Sequence, residues 1–164
     1  KTPMIWRGPM VTSAIKTFTQ QVNWRDLDFI IVDMPPGTGD TQLTFSQSIE
    51  MNGAIIVSTP QEVALLDVKR GIKMFDKLGV KILGLIDNMS SFTGDDGKKY
   101  AIFGEGGVKR TAEEFNKEFL AEIPIDPDFG KFGDHGKPIV ESEPNNKISQ
   151  IYINLAKKIK SIYL

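Results

Sequence analysis

Cysteine does not occur among the 164 residues, and histidine occurs once, as His135. Disulfides, thiolate metal sites and cysteine nucleophiles are therefore excluded within this chain, as is a metal cluster built from histidines alone. A strong charge of either sign is also lacking: 20 basic and 21 acidic residues leave a net charge of −1. No general pull toward nucleic acid or an anionic membrane follows, and neither is an expected partner. No apolar run reaches the roughly 18 residues of a membrane-spanning helix. The first ten residues, KTPMIWRGPM, contain no apolar core of a secretory signal, and the expectation is a cytoplasmic protein. Finally, no stretch matches G-x-x-x-x-G-K-[ST], the loop that cradles nucleotide phosphates.

What is present is an ordinary globular composition, 40% hydrophobic and 25% charged, in a chain long enough to bury one core. Four strands are predicted, at 28–33 (DFIIVD), 54–58 (AIIVS), 82–87 (ILGLID) and 119–123 (FLAEI). The first three are nearly continuous apolar runs, which suit strands buried on both faces of a parallel sheet. Helical patterns fall between and around them, at 9–21, 40–51, 63–78, 107–116 and 147–163. The third places Val63, Leu66, Ile72 and Phe75 near one face and ends at Gly79, a C-terminal cap. The stretch 94–107 (GDDGKKYAIFGEGG) reads as a loop or short hairpin. Alternating strands and helices, with no linker or repeat, predict a doubly wound, mostly parallel α/β sheet with helices on both faces, a single domain over 1–164.

Ligands of open α/β sheets bind beyond the carboxyl ends of the strands. The unusual segments DMPPGTGD, STPQE, DNMSSF and IPIDPD all follow predicted strands. Asp33 ends the first strand. It suits either a turn-capping role or a carboxylate that orients magnesium, directly or through water, beside a nucleotide phosphate. Pro35 and Pro36 fix the direction in which the chain leaves. Gly37 and Gly39 let backbone N–H groups approach a phosphate and permit local rearrangement. Asp40 can cap the following helix or take part in the chemistry. Together they describe a switch loop, rigid at its anchor and pliable where a γ-phosphate would sit.

The motifs WRGPMV, IVDMPPGTGD, VSTPQEVAL, DNMSSF, IFGEGG and IPIDPDF occur in the order found in the Mrp/ApbC family. This family comprises P-loop ATPases that carry iron–sulfur clusters and are related to MinD and the nitrogenase iron protein. The resemblance runs from Pro3 to about Pro144. It implies a weakly hydrolysing, homodimeric ATPase that uses ATP and magnesium and exchanges clusters with donor or acceptor proteins. By motif, Asp33 resembles the acid of the second switch and 37–40 the switch loop. Asn88 matches the residue that reads the adenine edge. Pro124 and Asp126 match the Pro-x-Asp turn on the other side of the base. An amide suits adenine because it both donates and accepts.

The chain departs from the family pattern twice. It lacks the phosphate loop, so it is read as the C-terminal part of a longer ATPase domain, and these 164 residues alone are expected not to turn over ATP. It also lacks the C-x-x-C that would hold a [4Fe–4S] cluster: Gly94, Asp95 and Asp96 stand in that segment, and carboxylates are poor replacements for thiolates there. Rival readings are a MinD/ParA-like positioning ATPase and a non-catalytic interaction domain that keeps the fold.

Elsewhere, His135 reads as a solvated loop residue and Arg7 as either a dimer-face or a surface charge. The tail has apolar residues at helical spacing (Ile148, Ile151, Leu155, Ile159, Ile162) flanked by lysines. It fits a last helix packed on the sheet, with a membrane-surface helix as the alternative. Exposed sheet edges left by a partial domain are expected to need a partner or a second copy to cover them.

Overall fold

A computed structural model describes residues 8–34 and 40–164. The sheet is organised around one long strand, β2 (Ile82–Thr93). On one edge it pairs in parallel with β1 (Ala54–Ser58), and on the other in parallel with β4 (Phe119–Ile125). A two-residue strand, β3 (Lys99–Tyr100), turns back antiparallel onto Phe92 and Thr93. The fold class predicted from sequence is thus borne out: an α/β sheet, parallel except for this short hairpin. The hairpin also settles the first half of the glycine-rich stretch.

Helices α3 (Glu62–Lys77) and α4 (Gly107–Glu114) cover one face. Their Leu65, Val68, Ile72, Val108 and Ala112 close on Leu85 of β2, with Ile56, Ile82, Phe115 and Phe119 around them. Neighbouring side chains of a strand point to opposite faces. Phe119 belongs to this cluster, so Leu120 faces the other way, where it meets Ile151 and Leu155 of α7 (Lys147–Tyr163). Helix α7 therefore lies on the opposite face. Its N-cap Asn146 accepts from the Ile148 N–H, and Tyr163 at its far end donates to the Asn52 carbonyl at 2.8 Å. Of the apolar stripe of the tail, Ile148 is buried, Ile151, Leu155 and Ile159 are half-buried, and Ile162 is exposed. That supports the packed helix over the membrane-surface one.

Helices α1 (Gly8–Gln20) and α2 (Asp40–Ser48) pack on each other. Two short helices, α5 (Pro127–Asp134) and α6 (Ile139–Ser142), join β4 to α7 and were not predicted. His135 caps the end of α5, exposed, with its Nδ1 at 2.7 Å from the Lys131 carbonyl.

Three expectations are corrected. The predicted strand 28–33 does not form: residues 22–34 carry no helix or strand, and Ile30, Ile31 and Val32 are exposed, Ile31 by 83%. A strand exists only as a member of a ladder. Among the described residues no strand pairs with 28–33 or with the outer edge of β1. Phe29 rests edge-on against Tyr163 instead, with ring centroids 6.4 Å apart. Second, DNMSSF is not a loop: β2 continues through it. Third, the buried face of α3 is Leu65, Val68 and Ile72, while Val63 and Leu66 are exposed. Of the predicted set Ile72 is buried and Phe75 half-buried, whereas Val63 and Leu66 fall on the opposite side of the helix, because the core contact is made by the residues that meet α4 and β2. Residues 6 and 7 and the switch residues Pro35, Pro36, Gly37 and Gly39 lie outside the described residues.

The corrected face of α3 gives a direct test. Ile72→Ala should cost about 2–5 kcal/mol, since Ile72 is fully buried. Leu66→Ala should stay within about 0.5 kcal/mol. Urea denaturation of both variants checks this, and equal losses would contradict the assigned face.

Candidate functional site

The carboxyl ends of β2 and β4 form the rim that the fold makes available to a ligand. In the parallel ladder Asp87 is level with Glu122 and Asn88 with Ile123, so Pro124 is the next residue along from the partner of Asn88. Parallel neighbours lie roughly 4.8 Å apart. Asn88 and Pro124 are both half-buried. Asp126 follows directly: it is the N-cap of α5 and accepts from the Asp128 N–H at 2.8 Å, with Pro127 in the first turn. The rim therefore brings together Asn88, Pro124 and Asp126, which the sequence had placed in separate segments.

The ladder breaks at this point. Between Asn88 and Phe92 the pairing to β4 advances only from Ile123 to Ile125. The excess is taken up by Met89, Ser90 and Ser91. Met89 adopts φ 52°, in the left-handed region that side chains seldom occupy. Ser90 and Ser91 turn inward and are buried, while Met89 is exposed. The strand thus changes from core element to rim within four residues.

Of the other predicted site residues, Asp33 is held by no regular element and lies exposed on the irregular segment 22–34. Asp40 is the first residue of α2. Gly37 and Gly39, between them, are outside the described residues. The glycine cluster 104–107 acts structurally. Gly106 is the N-cap of α4 at φ 67°, and a Cβ on Gly107 would meet the Pro60 carbonyl oxygen at 2.5 Å and Leu65 Cδ1 at 2.8 Å. This close approach seats α4 against the turn that follows β1. In the hairpin, Asp96 accepts from the Lys98 N–H at 3.0 Å and the Tyr100 hydroxyl at 2.9 Å, and those two bonds hold its carboxyl below the usual range.

One residue of the rim escaped the sequence reading. Asp87 is 2% exposed, and its Oδ1 has no hydrogen-bond partner among the described residues. Desolvation, then the neighbouring Glu122 charge, push its carboxyl up to about 6, partly countered by Lys99. The only available signal was an acid closing an apolar run, ILGLID, with a second acid in FLAEI.

Comparisons with known proteins place this geometry. The fold is that of the P-loop NTPases: the Pyrococcus furiosus cell-division ATPase MinD superposes with a TM-score of 0.68 at 22% identity, over 95% of this chain and 59% of that one. A nucleotide-binding protein from Archaeoglobus fulgidus, solved in complex with ADP, superposes with a TM-score of 0.71 at 40% identity, over 78% of this chain and 53% of that one. The model of the ParA family described as NUBPL iron-transfer P-loop NTPases matches residues 1–160, and the chain belongs to this family. Among curated relatives, the iron–sulfur cluster carrier protein of Synechocystis is 48% identical over 96% of this chain and 45% of its own length. The Arabidopsis thaliana iron–sulfur protein required for NADH dehydrogenase is also 48% identical, over 96% of this chain and 50% of its own length. The mouse iron–sulfur cluster transfer protein NUBPL is 43% identical over 96% and 50%. The chain spans about half the length of the curated relatives it matches. No helix among the described residues is long and apolar enough to cross a membrane.

The buried acid has a calculable consequence. The folded state raises the Asp87 carboxyl from 3.8 to about 6, so the folded state holds the proton more tightly. Stability is then greatest below the lower value and falls as pH rises to about 6, by about 3 kcal/mol in total. Above that window the loss is constant. Asp87→Asn should therefore raise the denaturation midpoint at neutral pH and lose that advantage near pH 4. Chemical denaturation across this range measures it, and an advantage that persists unchanged into acid would refute the assignment.

Proposed function

We propose that this chain is the second-switch and base-pocket portion of a single ATPase domain that works, as a homodimer, in the carriage of iron–sulfur clusters. The observation that carries the reading is the meeting of Asn88 with Pro124 and Asp126 at the carboxyl ends of two adjacent parallel strands. Family membership and the ADP-bound relative support it. In this reading the Asn88 amide pairs with the adenine edge, donating to one ring acceptor and accepting from the exocyclic amine. Pro124 packs against the base, and Asp126 fixes the turn by capping α5.

On the phosphate side, Asp33 acts as the strand-end acid that orients magnesium or its bound water, and Gly37, Gly39 and Asp40 form the responsive loop. Carboxylate and backbone oxygens are the hard donors that magnesium requires, so the donor chemistry of this segment fits that ion. Magnesium, when bound, would neutralise charge developing on the transferred phosphoryl group.

The donor set for a [4Fe–4S] cluster does not fit. The chain has no cysteine, and among the described residues no group of three or more His, Cys, Asp or Glu side chains is placed to hold a metal. The matching segment is a closed hairpin whose Asp96 is already engaged. The cluster is therefore cargo, held by thiolates that this chain does not supply and passed to or from protein partners. Exposed apolar side chains on β1 and the irregular segment, Val57 and Ile31 among them, favour a partner surface and hence the dimer.

The reading is tested on the full-length protein by nucleotide binding. Asn88→Ala should weaken ADP binding at least about tenfold, the scale of one lost bidentate contact in a buried pocket. Asp33→Asn should leave ADP affinity close to unchanged while abolishing turnover. The isolated 164-residue chain should show no turnover above background. Unaltered affinity in the Asn88 variant would instead favour a non-catalytic domain that retains the fold.

A further inference from the structure

Three adjacent parallel strands place a row of polar groups beneath the rim. Ser58 of β1 is level with Asp87 of β2, and Asp87 with Glu122 of β4. Leu85 faces α3 and α4, so Asp87, two residues on, faces the same side. The helices packed there present Leu65, Val68, Val108 and Ala112 to the sheet. Of their charged groups, Lys69 pairs with Glu114 at 2.7 Å, Arg70 with Asp67 at 3.0 Å and Asp76 with Lys117 at 2.7 Å. Among the described residues, the charged groups that act on Asp87 are Glu122 and Lys99, which stand 3.9 Å apart. Asp87 is thus a carboxyl walled by apolar side chains, with one oxygen unsatisfied, opposed by a like charge across the ladder and approached by a single cation on β3.

Its position matters more than its burial. The Asp87–Glu122 pair is the last regular step but one before the ladder breaks, and the next pair contains Asn88. Beyond the break, Phe92 and Thr93 carry β3, and with it Lys99. A neutral Asp87 leaves this joint packed as it stands. An ionised one is repelled by Glu122 and draws Lys99 or water toward the unsatisfied oxygen, and either response strains the joint that fixes Asn88.

We propose that Asp87 is a positioning residue of the base pocket, coupling the charge of a buried carboxyl at the β2–β4 joint to the placement of Asn88 and so to nucleotide affinity. Nucleotide binds more tightly when the carboxyl is neutral. By linkage, bound nucleotide in turn favours the protonated form. The inference rests on the nucleotide reading above, and its test separates the two.

ADP affinity of the full-length protein is measured by titration calorimetry from about pH 5 to about pH 8 for wild type, Asp87→Asn and Glu122→Gln. Dividing wild-type Kd by Asp87→Asn Kd at each pH removes the titration of the nucleotide itself. The ratio should be near one at the acid end and rise at least about fivefold by the alkaline end, the lower scale of ordinary site coupling. Glu122→Gln should displace the wild-type profile to lower pH, because a like charge has been removed. A flat ratio with ADP still bound overturns the role of Asp87 and leaves the nucleotide reading intact. Failure of wild type to bind ADP at any pH overturns both. Should Asp87→Asn not fold, Glu122→Gln decides alone, and a profile coincident with wild type refutes the coupling.

Discussion

The structure depends on β2 being paired on both edges at once. A central parallel strand must satisfy its backbone through β1 and β4 and bury its side chains under helices on both faces, which explains the near-continuous apolar run of ILGLI. The requirement also fixes where a ligand can go. On β2, helices and neighbouring strands take up faces and edges, and a ligand is left the carboxyl ends of the strands. The break between Asn88 and Phe92 is what opens that end. Three residues without regular β4 partners let the strand leave the core while still carrying β3. Asn88 owes its half-exposed position to the last regular pair before the break, and Pro124 owes its nearness to the register of that same pair.

Much of this was legible in the sequence. The runs at 54–58, 82–87 and 119–123 all became strands, and the helix at 147–163 falls exactly on its predicted limits. These are elements whose local pattern and tertiary environment agree. Where the two differ, sequence reading failed. DFIIVD has as strong a strand signal as AIIVS, yet a strand needs a neighbour, and none of the described strands lies beside it. The sequence reading placed Val63 and Leu66 on the buried face with Ile72 and Phe75. At about 100° per residue Leu65, Val68 and Ile72 share one side of α3 while Val63 and Leu66 fall on the other, and packing against α4 and β2 buries the first group. The extension of β2 through DNMSSF was hidden because Asn and Ser read as loop residues, whereas here they continue the ladder and fold two serines into the interior.

The site divides along the same line. Asn88, Pro124 and Asp126 could be named because each lies in a distinctive motif, and the fold then showed them to be neighbours. Asp87 could not be named, since its character depends on register. That a carboxyl in one strand lies level with Glu122, thirty-five positions later, is a fact about two strands and not about either motif. Its solvent-excluded oxygen is likewise a product of α3 and α4 closing over the sheet.

Some of the departures from good local structure lie at or near the rim. Asp87 is buried without full satisfaction, Met89 sits in the left-handed region, and Gly107 admits no larger side chain against Pro60. Each is costly alone, and they have counterparts elsewhere: Arg25 and Asn116 are also left-handed, and the buried Ser46 Oγ also has no hydrogen-bond partner among the described residues. Of the first three, Asp87 and Met89 flank Asn88 on β2, and Gly107 opens the helix that covers the same sheet face. By contrast, the cluster around Ile72, Leu85 and Val108 is wholly apolar and fully enclosed. Strain of this kind persists only where well-packed surroundings impose it, and it collects where geometry matters more than stability. The apolar cluster supplies that rigidity, and the strained rim is the part of the molecule it holds in place.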